Sequence, residues 1–227
     1  MRLRRFYGTV ASDQNQSILR LVTGKRILEL GCGYGTFTQE AEDKGKEAFG
    51  LDIDFKVLGI GRSLYPSLLT KLVQGDMGCL PFKDKSFHAV IFRESLHHGS
   101  WEKILPEILR VCRKEIIIFE PNPNSFLRFC RKIISHRDQE IPLKPLLNLL
   151  ERHGLIIQGL YFRDVLAFPL SGGFVGWEFV PPIKFLFSIL IWVDRTFQSV
   201  SHLLKIEKAV SWRYLVKGVL REPEGKR

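Results

Sequence analysis

The sequence predicts an α/β fold: a doubly wound, mostly parallel seven-stranded sheet with helices on both faces. Two observations carry this. From Arg26 onward, short and almost uninterrupted apolar runs alternate with stretches of helical apolar spacing, as parallel strands buried on both faces require. A chain of 227 residues with 45% hydrophobic and 26% charged content is also long and apolar enough for one such domain with its own core.

The elements follow in order. RILELG reads as a buried first strand, with a helix from about Thr36, and EAFGLD as the second strand. A helix near Phe55 to Ser63 precedes KLVQGD, the third strand, and FHAVIF is the fourth. Ile104, Ile108, Leu109 and Val111 give Trp101 to Cys112 a helical pattern before EIIIFEP, the fifth strand. Pro142 to His153 reads as a helix ended by Gly154, with LIIQGLYF as strand six. Glycines and prolines among large aromatics make Phe168 to Pro182 an irregular loop. A helix from about Ile183 to Leu204 follows, and SWRYLVKGVL closes the chain as strand seven.

Composition narrows the partners. Thirty-four basic against 24 acidic residues leave a formal charge of +10, which favours anionic partners: nucleic acid, a phosphate-bearing substrate or an anionic membrane surface. Cys32, Cys79, Cys112 and Cys130 are widely spaced, with no Cys-x-x-Cys and no clustered His, so no metal site is expected. MRLRRFYGTV runs into polar ASDQNQS rather than an apolar stretch, so no secretory signal is read and a cytoplasmic location is expected. Phe185 to Val193, the longest apolar run, is too short to cross a bilayer.

The chemistry is concentrated in Ile27 to Phe37, ILELGCGYGTF. A strand ends in Glu29, Gly31, Gly33 and Gly35 just before a helix, a pattern that turns the chain sharply and exposes backbone to a ligand. Asp52, ending strand two, suits a carboxylate that accepts from both ribose hydroxyls. A dinucleotide turn is G-x-G-x-x-G; here the third glycine comes one residue early and an acid precedes the first. The ligand therefore reads as a nucleoside with a cationic tail rather than NAD.

This loop, the GLDID strand end, the QGDMGCLPFKDKSFHAVIF block and the ESLHH…EILRVCRK segment together resemble class I S-adenosylmethionine-dependent methyltransferases of the ubiquinone/menaquinone-biosynthesis type (the methyltransferase type 11 group). The resemblance covers Gly24 to Pro121 and implies a Rossmann-like fold and S-adenosyl-L-methionine as cofactor. It also implies that Glu29 engages the methionine amino end, that Gly31, Cys32, Gly33, Tyr34 and Gly35 wrap the cofactor, that Asp52 holds the ribose, and that Asp76 and Met77 flank the adenine. Ile53 and Arg93 complete the cofactor-binding set. Two positions depart from the family pattern: Phe87-His88 replaces Phe-Asp, and RKEI replaces the Lys-Pro-Gly-Gly turn before strand five.

A single domain over 1–227 is expected, with the cofactor core at about 24–121 and acceptor-side insertions at about 122–145 and 163–208. His97 and His98, at the sheet's carboxyl edge, are the candidates for a general base, against the blander reading that they pack the loop before Trp101. The large aromatics of the insertions suit a small hydrophobic or lipid-like acceptor. An RNA acceptor is the competing reading, disfavoured because RESLHH stands where base-methylating enzymes carry Asn-Pro-Pro-aromatic and because no cysteine follows a proline. A non-catalytic cofactor binder docked on membranes is a further alternative. Basic NSFLRFCRKIISH (124–136) reads as a solvated helix face or a lid meeting anionic head groups. The helix after Ile183 carries Leu186, Leu190, Val193, Phe197, Val200 and Leu204 on one stripe, to be buried on its own domain, in a homodimer, or at a membrane surface.

Overall fold

The computed structural model describes residues 5–126, 141–172 and 179–221. Among them, seven strands form one sheet in the order β3-β2-β1-β4-β5-β7-β6. They are β1 (Arg26–Leu30), β2 (Glu47–Asp52), β3 (Leu72–Gln74), β4 (Phe87–Arg93), β5 (Cys112–Pro121), β6 (Leu155–Arg163) and β7 (Arg213–Leu220). The first five run parallel, while β7 lies antiparallel between β5 and β6. The order reverses between β1 and β4, so the chain leaves these two carboxyl ends in opposite directions and opens a crevice there.

Side chains alternate along each buried strand. Val90, Phe92, Ile116 and Ile118 meet one core, with α4 (Trp101–Val111) and α5 (Leu143–Arg152) over it. Ala89, Ile91, Ile117 and Phe119 meet the other, under Ile18 of α1 (Arg5–Leu21) and Phe37 of α2 (Thr36–Asp43). Helices on both faces are thus dictated by strands with no polar face.

Several expectations are corrected. Helix α1 is absent from the predicted elements because its buried positions include Gln14, Asn15 and Ser17, which break the apolar stripe of Phe6, Val10 and Ile18. Strand β3 spans only three residues instead of all of KLVQGD. The stretch from Phe168 does not begin as irregular loop: a short helix, α6 (Ala167–Leu170), forms there. Buried Asp194 accepts the amides of Val165, Leu166 and Ala167 at its start, satisfying donors that the sequence leaves without a local cap. The rest of the predicted loop, 173–178, lies outside the described residues, as does the basic segment beyond Phe126.

Asp194 belongs to α7 (Lys184–Leu203), and its capping role sets that helix's rotation. The buried positions are Phe187, Asp194 and Ser201, not the predicted stripe, of which Phe197, Val200 and Leu204 are exposed. Phe187 packs with Phe6, Phe168 and Trp212 in a small separate core. A last short helix, α8 (Glu207–Val210), leads into β7. Helix α3 (Phe55–Leu64) follows β2, its first turn capped by Asp54, which accepts from Lys56 and Val57.

The two departures from the family pattern lie far from the crevice. RKEI lets β5 start at Cys112 directly after α4. His88 faces Thr23, 3.2 Å from its hydroxyl, beside Glu115, at the amino-terminal side of the sheet.

Candidate active site

The turn after β1 exists because three glycines take left-handed backbone angles: Gly31 at φ 71°, Gly33 at 53° and Gly35 at 76°. Their surroundings differ. A Cβ on Gly31 would come 2.4 Å from the Cβ of Ser95, and one on Gly35 2.9 Å from Leu72. A Cβ on Gly33 would meet nothing within 4 Å. Gly31 and Gly35 are therefore glycine for packing as well as backbone, whereas Gly33 presents bare backbone to open space.

That space is a cleft of about 1120 Å³, walled by Gly31, Gly33, Asp52, Ile53, Asp76 and Met77 on the β1–β3 side and by Glu94, Ser95, His98 and Lys103 on the β4–α4 side. Its volume reaches the upper end of small-molecule sites, about 300–1,000 Å³. At its centre Asp52 accepts the Gly33 amide at 2.8 Å on one oxygen and the Asp54 amide at 3.0 Å on the other. Each oxygen keeps a second lone pair. Asp76 accepts the Gly78 amide at 2.7 Å, and Met77 packs against the main core.

The other sequence-chosen cofactor residues, Glu29, Cys32, Tyr34, Gly35 and Arg93, do not line this cleft, and Tyr34 is exposed outside it. Cys32 is buried with Leu58, Leu68 and Leu72. Glu29 is buried beneath the loop, accepting the Thr38 hydroxyl at 2.6 Å. Burial pushes its carboxyl up to about 7, against the Thr38 hydrogen bond and the Arg93 charge.

The sign of the Glu29 effect is testable. The folded chain keeps a proton that the unfolded chain releases near the ordinary carboxylate value, so this group lowers stability as pH rises from about 4.5 to 7. Glu29→Gln keeps an acceptor for Thr38 but no charge. Urea unfolding is expected to show the variant gaining on the wild type from pH 5 to 8, by on the order of 3 kcal/mol. Parallel profiles would mean that Glu29 is ionised throughout.

Beyond β4, Glu120 organises the loop carrying the two histidines. One of its oxygens accepts the amides of Ser95 and Leu96, both at 2.8 Å, and the other lies 2.7 Å from Nδ1 of His97. Ser95 in turn donates to the Leu30 carbonyl at 2.6 Å, tying this loop to β1. The His97 and His98 rings are 4.1 Å apart; His98 reaches the cleft and His97 lies behind it.

Sequence reasoning missed the cluster next to this loop. Glu94, at φ 55°, pairs with Arg213 of β7, which also pairs with Asp164 after β6. Asp164, itself at φ 62°, accepts Gln14 of α1 at 2.8 Å. These residues come from four distant segments, and no spacing in the chain announces them. Among the described residues no group of His, Cys, Asp and Glu is placed to hold a metal ion.

Residues 28–119, which contain the glycine turn, Asp52, Asp76 and both histidines, match the family described as "Methyltransferase domain". This segment belongs to that family. It is 33% identical over 93 residues to a demethylmenaquinone methyltransferase of Renibacterium salmoninarum, covering 40% of this chain and 38% of the relative. It is 37% identical over 95 residues to a fatty-acid O-methyltransferase of Mycolicibacterium smegmatis, covering 40% and 35%. The match thus spans well under half the length of either relative. The whole fold resembles a SAM-dependent methyltransferase from Archaeoglobus fulgidus, with a TM-score of 0.63 at 17% identity over 94% of both chains.

Proposed function

We propose that this protein transfers a methyl group from S-adenosyl-L-methionine to a small hydrophobic or lipid-like acceptor, such as a quinone precursor or a lipid. The observation that carries the cofactor is the convergence of the glycine turn, Asp52 and the Asp76–Met77 edge on one cleft. The residues fit the group: Gly33 leaves open space where any side chain would intrude, and Asp52 keeps one lone pair per oxygen for a ribose hydroxyl. Asp76 is the acceptor for an adenine amino group, and Met77 supplies an apolar wall. Glu29 carries its charge beneath the loop, where a cationic amino end above it favours the ionised form. Ile53 and Cys79 border the cleft, while Cys32, Tyr34 and Gly35 contribute the backbone of the turn and Arg93 a charge near Glu29.

The cofactor supplies an electrophilic methyl on a sulfonium. The chain's own task is to hold the acceptor in line and exclude water, for which proximity provides most of the effect. A hydroxyl acceptor also loses a proton. His98, on the cleft wall, is the group positioned to take it, with His97, oriented by buried Glu120, packed behind it. The acceptor class is supported by the matched relatives, whose names specify demethylmenaquinone and fatty acids.

Asp52→Ala removes both ribose hydrogen bonds and leaves the Gly33 amide without its partner. Calorimetry is expected to show cofactor affinity falling by about 1.5–3 kcal/mol; undiminished affinity removes Asp52 from the site. The acceptor is tested by incubation with methyl-labelled cofactor and separate lipid, soluble and RNA extracts. Label in the lipid extract is expected. Label confined to RNA or to polar metabolites overturns the acceptor class but leaves the cofactor reading standing.

A further inference from the structure

Helix α7 is inside out. Its buried positions, Phe187, Asp194 and Ser201, recur every seven residues and so fall on one face. The opposite face carries Phe185, Ile189, Trp192, Val200 and Leu203, all exposed. Phe185 is 75%, Trp192 67% and Leu203 80% accessible. Large apolar groups at both ends of this face, with only Thr196 and Ser199 between them on a helix about 30 Å long, mark an interaction surface.

The exposed charges along this row are basic. Between Phe179 and Ile206 the chain has one carboxylate, Asp194, and it is buried under the helix capping α6. Glu207, just past the row, is partly buried and faces His202 at 3.4 Å. Lys184, Lys205 and Lys208 are exposed at the two ends of the row, while Arg195 is turned to Asp13 of α1. Phe126 extends the surface at its carboxyl end: its amide donates to Ala209 at 2.7 Å while its ring is exposed. No helix among the described residues is long and apolar enough to cross a membrane.

We propose that this outer face of α7 docks the protein on an anionic lipid bilayer, with the aromatic row inserted at the head-group boundary and the lysines meeting lipid phosphates. Apolar groups with a cationic rim and no exposed acid are what an interfacial helix needs. A second copy of the chain suits the face less well. A two-fold contact sets the same patch against itself, bringing lysines toward lysines with no exposed carboxylate on the row to offset them. The proposal rests on the lipid-like acceptor reading and deepens it by naming the surface that reaches the acceptor's phase, on α7 and the residues flanking it.

The test is co-sedimentation with vesicles of phosphatidylglycerol and phosphatidylcholine, at low and high salt, beside light scattering. The wild type is expected to pellet with mixed vesicles at low salt and to be monomeric without them. Phe185→Ser/Trp192→Ser/Leu203→Ser is expected to weaken binding at least about tenfold while cofactor affinity is retained. Lys184→Glu and Lys205→Glu are each expected to weaken it about fivefold at low salt and less at high salt. A wild type that stays in the supernatant overturns the docking, as does triple-variant binding equal to wild type, or a dimer that the triple variant disperses. Failure here with methylation of a detergent-dispersed lipid acceptor intact leaves the enzymatic reading in place. Vesicle binding without cofactor binding does the reverse.

Discussion

Arg213→Met is expected to destabilise the fold by about 3–5 kcal/mol, because it strips the cation from buried Asp164 and from Glu94, which is partly exposed at the cleft wall. The guanidinium lies between Glu94 and Asp164, with its carbon 3.5 Å from the centre of the Phe168 ring. Burial pushes the Glu94 carboxyl up, but Arg213 and Arg93 outweigh it and hold the group below the ordinary range. Burial pushes Asp164 up to about 6 even with Arg213 beside it. Methionine fills much of the volume and supplies no charge, so Asp164 loses its ion pair and keeps Gln14 as its hydrogen-bond donor, while Glu94 keeps the Arg93 charge nearby. Both then shift toward the protonated form, so the variant's deficit, measured by urea unfolding, is expected to shrink as pH falls from 7.5 to 5. Asp164→Asn added to Arg213→Met is expected to recover part of the loss. A deficit under about 1 kcal/mol at pH 7.5, the scale of an exposed ion pair, would mean that water reaches this cluster.

Gly33→Val is expected to remove cofactor binding from calorimetric detection while the domain still folds. The left-handed angle strains a β-branched residue by about 1–2 kcal/mol, and no neighbour stands within 4 Å of the added Cβ. The side chain therefore occupies the cleft rather than the core. Gly31→Ala is the contrasting variant: its Cβ would come 2.4 Å from that of Ser95, so it is expected to disturb the link between β1 and the histidine loop and to lower stability as well as affinity. If Gly33→Val binds cofactor as the wild type does, the ligand does not pass over the middle of the turn.

What was legible in the sequence is what local chemistry enforces. Strands β1, β2, β4 and β5 are runs without a polar face, so two-sided burial, and with it the layered α/β arrangement, follows from hydropathy alone. Gly31, Gly33 and Gly35 had to be read as a turn, because left-handed angles are open to glycine and to little else. Asp52 followed from its place at the end of the next strand. These residues lie within one stretch of chain, and their spacing carries the information.

Tertiary structure decided the rest. Glu29 lies beneath the loop because α2 brings Thr38 back over β1, His97 is held by Glu120 because β4 and β5 are neighbours, and Arg213 bridges Glu94 and Asp164 because β7 inserts antiparallel between β5 and β6. The rotation of α7 is the clearest case. Hydropathy assigned its buried face to Leu186, Leu190, Val193, Phe197, Val200 and Leu204, but Asp194 must cap α6, and three backbone amides outweigh a better apolar stripe. Phe197, Val200 and Leu204 of that stripe are left exposed, while Leu190 stays partly buried against the small core. A sequence pattern reports how apolar a face is, whereas the hydrogen bonds of neighbouring elements decide which face turns in.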